Sequence, residues 1–167
     1  YAADIDNDGD MDIMSASAND DKIAWYENDG ATDPSFTART IATSADYAKR
    51  VYAADIDNDG DMDVLSASIN DSKIAWYEND GAADPSFTAR TIPTSASSAR
   101  EVYAADIDND GDMDIMSASA DDDKIAWYEN DGAADPSFTA VNITTSADAA
   151  VSVYAVDVDN DGDIDVL

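Results

Sequence analysis

The chain has 167 residues, 44% of them hydrophobic, and carries a net charge of −30 from 38 acidic and 8 basic side chains, a composition that allows an ordinary core. Such a surface repels nucleic acid and anionic lipid, so neither is expected as a partner. Cysteine and histidine are both absent, which excludes disulfides, thiol nucleophiles, imidazole acid–base chemistry and zinc sites built from those residues.

In chain order, Tyr1–Ile5 is a short β-prone stretch that runs into an aspartate-rich loop ending at Asp12. Asp12–Ser17 (DIMSAS) leaves the loop as a second strand, and Ala18-Asn19-Asp20-Asp21 has the composition of a turn. Ile23–Glu27 (IAWYE), aromatic and β-branched, is the strongest strand. Asn28-Asp29-Gly30 and Asp33-Pro34 mark another reversal, and Phe36–Thr43 (FTARTIAT) forms the fourth strand. Ser44–Arg50 is expected as an exposed connector, because it changes most between copies: Asp46, Tyr47, Lys49 and Arg50 become Ser97, Ser98, Arg100 and Glu101, then Asp148, Ala149, Val151 and Ser152. Gly, Pro, Asn and Asp interrupt every window before a helix could reach three turns. No run of about 18 apolar residues occurs, so membrane insertion is not expected.

Self-comparison organises the rest. Tyr1, Tyr52, Tyr103 and Tyr154 open copies of one unit at a period of 51 residues, and residues 1–51 and 52–102 agree at 41 of 51 positions. The units are 1–51, 52–102 and 103–153, with 154–167 starting a fourth that stops partway into its second strand. The sequence reads as a window on a longer array, and its first residue, Tyr1, fits a processed protein or an excised segment. Four short strands per unit predict an all-β chain of tandem four-stranded antiparallel sheets. Each sheet carries apolar residues on both faces (Ile23 and Trp25 on one, Ala24 and Tyr26 on the other), so the sheets are expected to stack. Propellers close with about four to eight blades. Three units and a fraction therefore predict a segment of a propeller, or an open or oligomeric array.

The aspartate loop carries the chemistry. Asp4, Asp6, Asp8, Asp10 and Asp12 alternate with other residues around Gly9, and the pattern returns as Asp55, Asp57, Asp59, Asp61 and Asp63. It returns again as Asp106, Asp108, Asp110, Asp112 and Asp114, and as Asp157, Asp159, Asp161, Asp163 and Asp165. These aspartates make up more than half of the 38 acidic residues, so something must offset their local repulsion. Calcium takes six to eight oxygen ligands with flexible geometry, and a carboxylate at every second residue can turn inward around one ion. Asp4, Asp6 and Asp8 occupy the first, third and fifth positions of such a loop, Asp10 would give its backbone carbonyl, and Asp12 would close the site. The start matches an EF-hand loop, but its twelfth position is Ser15, Ser66 or Ser117 instead of a bidentate glutamate. A calcium site in a β-hairpin loop is expected. Magnesium fits less well, because it keeps several waters.

The unit AADIDNDGDMDI…SAS…DKIAWYENDG…F resembles the FG-GAP-like, or VCBS-type, repeats of secreted bacterial and archaeal proteins, which are related to the calcium-bearing blades of the integrin α-subunit propeller. The resemblance covers the whole chain. It implies propeller blades, calcium in the hairpin between the first and second strands, the aspartates above as ligands, and an extracellular, secreted or cell-surface location. The function expected is a non-enzymatic calcium-binding scaffold, structural or adhesive. One alternative is a propeller module that binds glycans or surface proteins. Another is a self-assembling extracellular fibre, with self-association or neighbouring repeats as the partners.

Other features are read more blandly. Trp25, Trp76 and Trp127, with Tyr26, Tyr77 and Tyr128, could form a sugar platform, but their regular mid-strand places fit packing between sheets. Asn70-Asp71-Ser72 and Asn142-Ile143-Thr144 match the N-glycosylation pattern, which arises often by chance. Every candidate acid is duplicated in each unit, whereas catalysis usually needs one asymmetric site, so no enzyme activity is expected.

Overall fold

Successive side chains on a strand point to opposite faces, and that alternation decides how this chain packs. The computed structural model describes residues 1–167, the Thr91 side chain excepted, and every regular element among them is a β-strand. The first sheet holds β1 (Ala2–Ala3), β2 (Asp12–Ser17), β3 (Lys22–Asn28) and β4 (Phe36–Ala42), antiparallel and side by side in chain order. The second repeats this with β5 (Ala48–Ala54), β6 (Asp63–Ser68), β7 (Lys73–Asn79) and β8 (Phe87–Thr91). The third has β9 (Ala99–Ala105), β10 (Asp114–Ser119), β11 (Lys124–Asn130) and β12 (Phe138–Thr144). A two-stranded start of a fourth is made by β13 (Ala155–Val156) and β14 (Asp165–Val166).

Register sorts the side chains into two unlike faces. Opposite pairs Met14–Trp25 and Ala16–Ile23 share one face, and Ile13–Tyr26 and Ser15–Ala24 share the other. The tryptophan face of each sheet packs on the tyrosine face of the next. Met14, Ile23 and Trp25 meet Val51, Ala53, Val64, Ala75 and Tyr77 in one buried cluster. Leu65, Ile74 and Trp76 meet Val102, Ala104, Ile115, Ala126 and Tyr128 in another, where Phe138 adds an edge-on contact to Trp76 at 6.1 Å. Each large apolar side chain buried this way contributes about 1.5–3 kcal/mol. The junctions, not the individual sheets, therefore hold the core, as expected of stacked repeats. This is the propeller-blade arrangement that the repeat pattern predicts.

Two expectations need correction. The opening strand of a blade is displaced upstream: β5 and β9 start at Ala48 and Ala99, before Tyr52 and Tyr103, and both end before the aspartate loop. The segment Ser44–Arg50 is consequently not a plain exposed linker. Asp46, Tyr47, Lys49 and Arg50 are exposed, but Ala45 and Ala48 are buried. At the next junction Ser98 and Glu101 are buried as well, where Arg50 of the preceding blade reaches Glu101 at 2.6 Å. Changeable positions mark the seam between blades as well as free surface. Among the described residues no helix is long and apolar enough to cross a membrane.

Candidate metal centre

Each aspartate loop joins the first two strands of a blade, and its own carboxylates fold it. Asn7 adopts a left-handed backbone (φ 58°) and Gly9 has φ 95°, where a side chain would be strained. The loop thereby turns the amides of Asp8 and Gly9 onto the Asp4 carboxylate, at 3.1 and 3.0 Å, and the Asp10 amide onto Asp8 at 2.9 Å. The next two loops repeat these bonds on Asp55 and Asp59 and on Asp106 and Asp110. In the fourth, Asp157 accepts from Gly162 and Asp161 from Asp163.

The fold brings three carboxylates together at the first, third and fifth positions. Oxygens of Asp4, Asp6 and Asp8 lie within 4.8 Å of one another, as do those of Asp55, Asp57 and Asp59 and of Asp106, Asp108 and Asp110. In the fourth loop the group is Asp157, Asp159 and Asp165. No ion pair among the described residues reaches any of these carboxylates. One oxygen each of Asp57 and Asp157 is buried with no hydrogen-bond donor. Burial, then the neighbouring Asp8 and Asp12 charges, pushes the Asp6 carboxyl above its usual range, and burial with Asp59 does the same to Asp57. Converging oxygen donors, mutual repulsion and an orphaned oxygen together fit a hard divalent cation.

The ninth position has a second duty. Asp12 is buried, and its two oxygens accept from the amides of Ile5 (3.0 Å) and Asn28 (2.8 Å), pinning the loop to the end of β3. Asp63 makes the same clamp on Ile56 and Asn79, and Asp114 on Ile107 and Asn130. Burial lifts Asp63 to about 7 in spite of these two bonds. Asp165 both accepts from Val158 and joins the cluster, so the clamp also borders the ion site.

The seventh position points elsewhere. Asp61 and Asp112 accept from the side-chain amides of Asn7 and Asn58 of the preceding blade, both at 2.6 Å. Their carboxylates, like that of Asp10, lie so close to Gly81, Gly132 and Gly30 that a Cβ at those glycines would collide. The carboxylates of Asp10, Asp61 and Asp112 are thus outside the clusters, as is that of Asp163.

A comparison with known protein families finds the FG-GAP-like repeat matching at residues 4–66, 63–117 and 117–167. The chain belongs to this family. No curated protein matches it. Each FG-GAP-like repeat here also carries contacts that the sequence did not announce. The side chain of Asn79 donates to Ile5 O of the preceding blade at 2.9 Å and to its own Met62 O at 3.1 Å, and Asn130 does the same to Ile56 O and Met113 O. Arg39 and Arg90 reach across to Asp84 and Asp135. The recurrence of Asn28, Asn79 and Asn130 at one place in Asn-Asp-Gly was the available signal. On its own, Asn-Asp-Gly indicates only turn chemistry. Of the aromatics, Trp25 and Trp76 are buried between blades and Trp127 is half-buried.

Proposed function

We propose that this chain is a non-enzymatic extracellular scaffold, structural or adhesive, in which calcium bound by the aspartate loops stiffens each blade. The observation that carries the reading is the set of four carboxylate clusters that no ion pair among the described residues reaches. Asp4, Asp6 and Asp8, and their equivalents, would hold the ion, with the Asp10 backbone carbonyl and the clamp aspartates beside it. Its role is to cancel the repulsion that the loop concentrates. Four such ions would bring the net charge from −30 to −22, still strongly acidic. At about ten times its dissociation constant each ion adds roughly 1.4 kcal/mol. Thermal unfolding with calcium and with a chelator tests the reading: calcium should raise the Tm and the chelator lower it. An unchanged Tm would overturn it.

A second reading is association with further repeats, in another copy or elsewhere in a longer chain. Ile13, on the tyrosine face of the first blade, is 45% exposed, whereas its equivalents Val64 and Ile115 are fully buried under a preceding blade. The first blade therefore presents a surface built to receive another tryptophan face. Sedimentation in calcium tests for it, with concentration-dependent association lost in Ile13→Asp. A glycan-binding role has less support, because Trp25 and Trp76 are buried between blades, as their mid-strand places suggest, and offer no open platform.

A further inference from the structure

The four tyrosines that open the repeats lie outside the aspartate loops, and only Tyr52 and Tyr103 pack against the margins of the cores. Tyr52 and Tyr103 lie in β5 and β9, opposite Leu65 and Met116, and Tyr1 and Tyr154 take the same place in their blades. Their rings form one file across all four blades. Centroids are 4.6 Å apart from Tyr1 to Tyr52, 4.8 Å from Tyr52 to Tyr103 and 5.0 Å from Tyr103 to Tyr154, with planes tilted by 46°, 50° and 55°. Each contact joins residues 51 positions apart and spans a seam between blades. The outer rings are open, Tyr1 at 47% and Tyr154 at 50%, while Tyr52 and Tyr103 are half-buried. The other tyrosines stand apart from the file. Tyr26 and Tyr128 bond to Ser15 and Ser117 within their own sheets, Tyr77 is buried, and Tyr47 lies on the surface.

We propose that this file is an oxidative cross-linking site, at which a peroxidase acting with hydrogen peroxide joins adjacent blades through dityrosine. Each of two neighbouring phenols gives up one electron and its O–H proton. The phenoxyl radicals couple between ring carbons ortho to oxygen, and the two displaced C–H hydrogens move to the oxygens and restore both phenols. Peroxide accepts the two electrons and two protons and leaves as two waters. The exposed end rings meet the oxidant, and the short centroid spacing brings each radical to a partner of the same chemistry. Pairing of Tyr1 with Tyr52 and of Tyr103 with Tyr154 uses all four rings. The blades become covalently tied without cysteine, which this chain lacks. The inference rests on blade packing and not on the bound cation.

The test is treatment of the intact chain, dilute and in calcium, with a haem peroxidase and hydrogen peroxide. Dityrosine fluorescence should appear in protein of monomer size, and peptide mapping should place the links among Tyr1, Tyr52, Tyr103 and Tyr154. The Tyr52→Phe/Tyr103→Phe variant keeps both rings but can form no inner phenoxyl radical. It should retain its circular dichroism and lose the intrachain link. Wild-type protein should also gain thermal stability on oxidation, and the variant should not. Three results would overturn the proposal: no intrachain link, links mapped to Tyr26, Tyr47, Tyr77 or Tyr128, or undiminished intrachain fluorescence in the double variant.

Discussion

Asn79→Ala and Asn28→Ala remove the same side chain from the same local sequence, yet they should differ in cost. Both asparagines accept from the glycine two residues on, Gly81 at 3.1 Å and Gly30 at 3.2 Å. Both donate to the loop of their own blade, to Met62 O and Met11 O, each at 3.1 Å. Only Asn79 also reaches the preceding blade, at Ile5 O, and Ile5 is fully buried. Truncation there strands a buried carbonyl, and such a group costs about 1–3 kcal/mol. The shared bonds cancel in the comparison. Asn79→Ala should therefore destabilise by about 1–3 kcal/mol more than Asn28→Ala, and Asn130→Ala should match Asn79→Ala.

Urea unfolding in a fixed excess of calcium, followed by tryptophan fluorescence and circular dichroism, gives the difference. Because stability in a repeat array is a sum of blade and junction terms, weakening a junction should also broaden the transition and lower its slope. Equal costs for Asn28→Ala and Asn79→Ala, to within about 0.5 kcal/mol, would show that the inter-blade bond carries no net stability.

Trp76→Ala, at a junction covered by a full blade, should cost about 3–5 kcal/mol, and Trp127→Ala, only half-covered, distinctly less; equal shifts in urea midpoint would contradict the packing scheme. Asp57→Asn removes a carboxylate whose oxygen has no donor, so it should weaken calcium binding at one site by calorimetry, while Asp61→Asn, whose carboxylate faces Asn7, should leave the number of sites unchanged. In chelator, pH should act with a definite sign. Burial raises Asp63 to about 7 from an unfolded value near about 3.9, so the folded state holds the proton more tightly. Stability should fall as pH rises from about 4 to about 7, and a Tm that climbs across that window would refute this. Below about 4 the opposite sign takes over. Asp29, Asp80 and Asp131 are held below the usual range by the hydroxyls and amides of Ser35, Ser86 and Ser137, and the stability they add is lost as they protonate.

Much of this architecture was legible because the chain repeats itself. The period, the meander and the unlike faces of IAWYE all follow from alternation and turn residues, and Trp25 and Trp76 pack where alternation puts them. The cluster positions were legible too, since spacing by two places Asp4, Asp6 and Asp8 along one bend. What escaped was whatever depends on the neighbouring blade. Asp61 and Asp59 are the same residue type in the same alternation, and only the approach of Gly81 and of Asn7 separates their duties. Asp12 gives no hint in its spacing that both its oxygens are taken by Ile5 and Asn28. The tyrosine file is similar: the period announces four tyrosines, but only the stack brings their rings together.

These inter-blade bonds link the loops in series. Asn7 of the first loop holds Asp61 of the second, and Asn58 of the second holds Asp112 of the third. In the other direction Asn79, whose amide is clamped by Asp63 of the second loop, holds the carbonyl of Ile5 at the edge of the first. A cation that orders one loop therefore fixes donors and acceptors that its neighbours need, and the next loop has less entropy left to lose on binding. Coupling of this kind is reciprocal and runs along the stack through blades that are themselves packed face to face. Binding should accordingly be positively cooperative in the intact chain, and Asn79→Ala should flatten the calcium isotherm while leaving all the cluster aspartates in place. An isotherm equally steep in the variant would mean that the loops fill independently and that the shared asparagines serve packing alone.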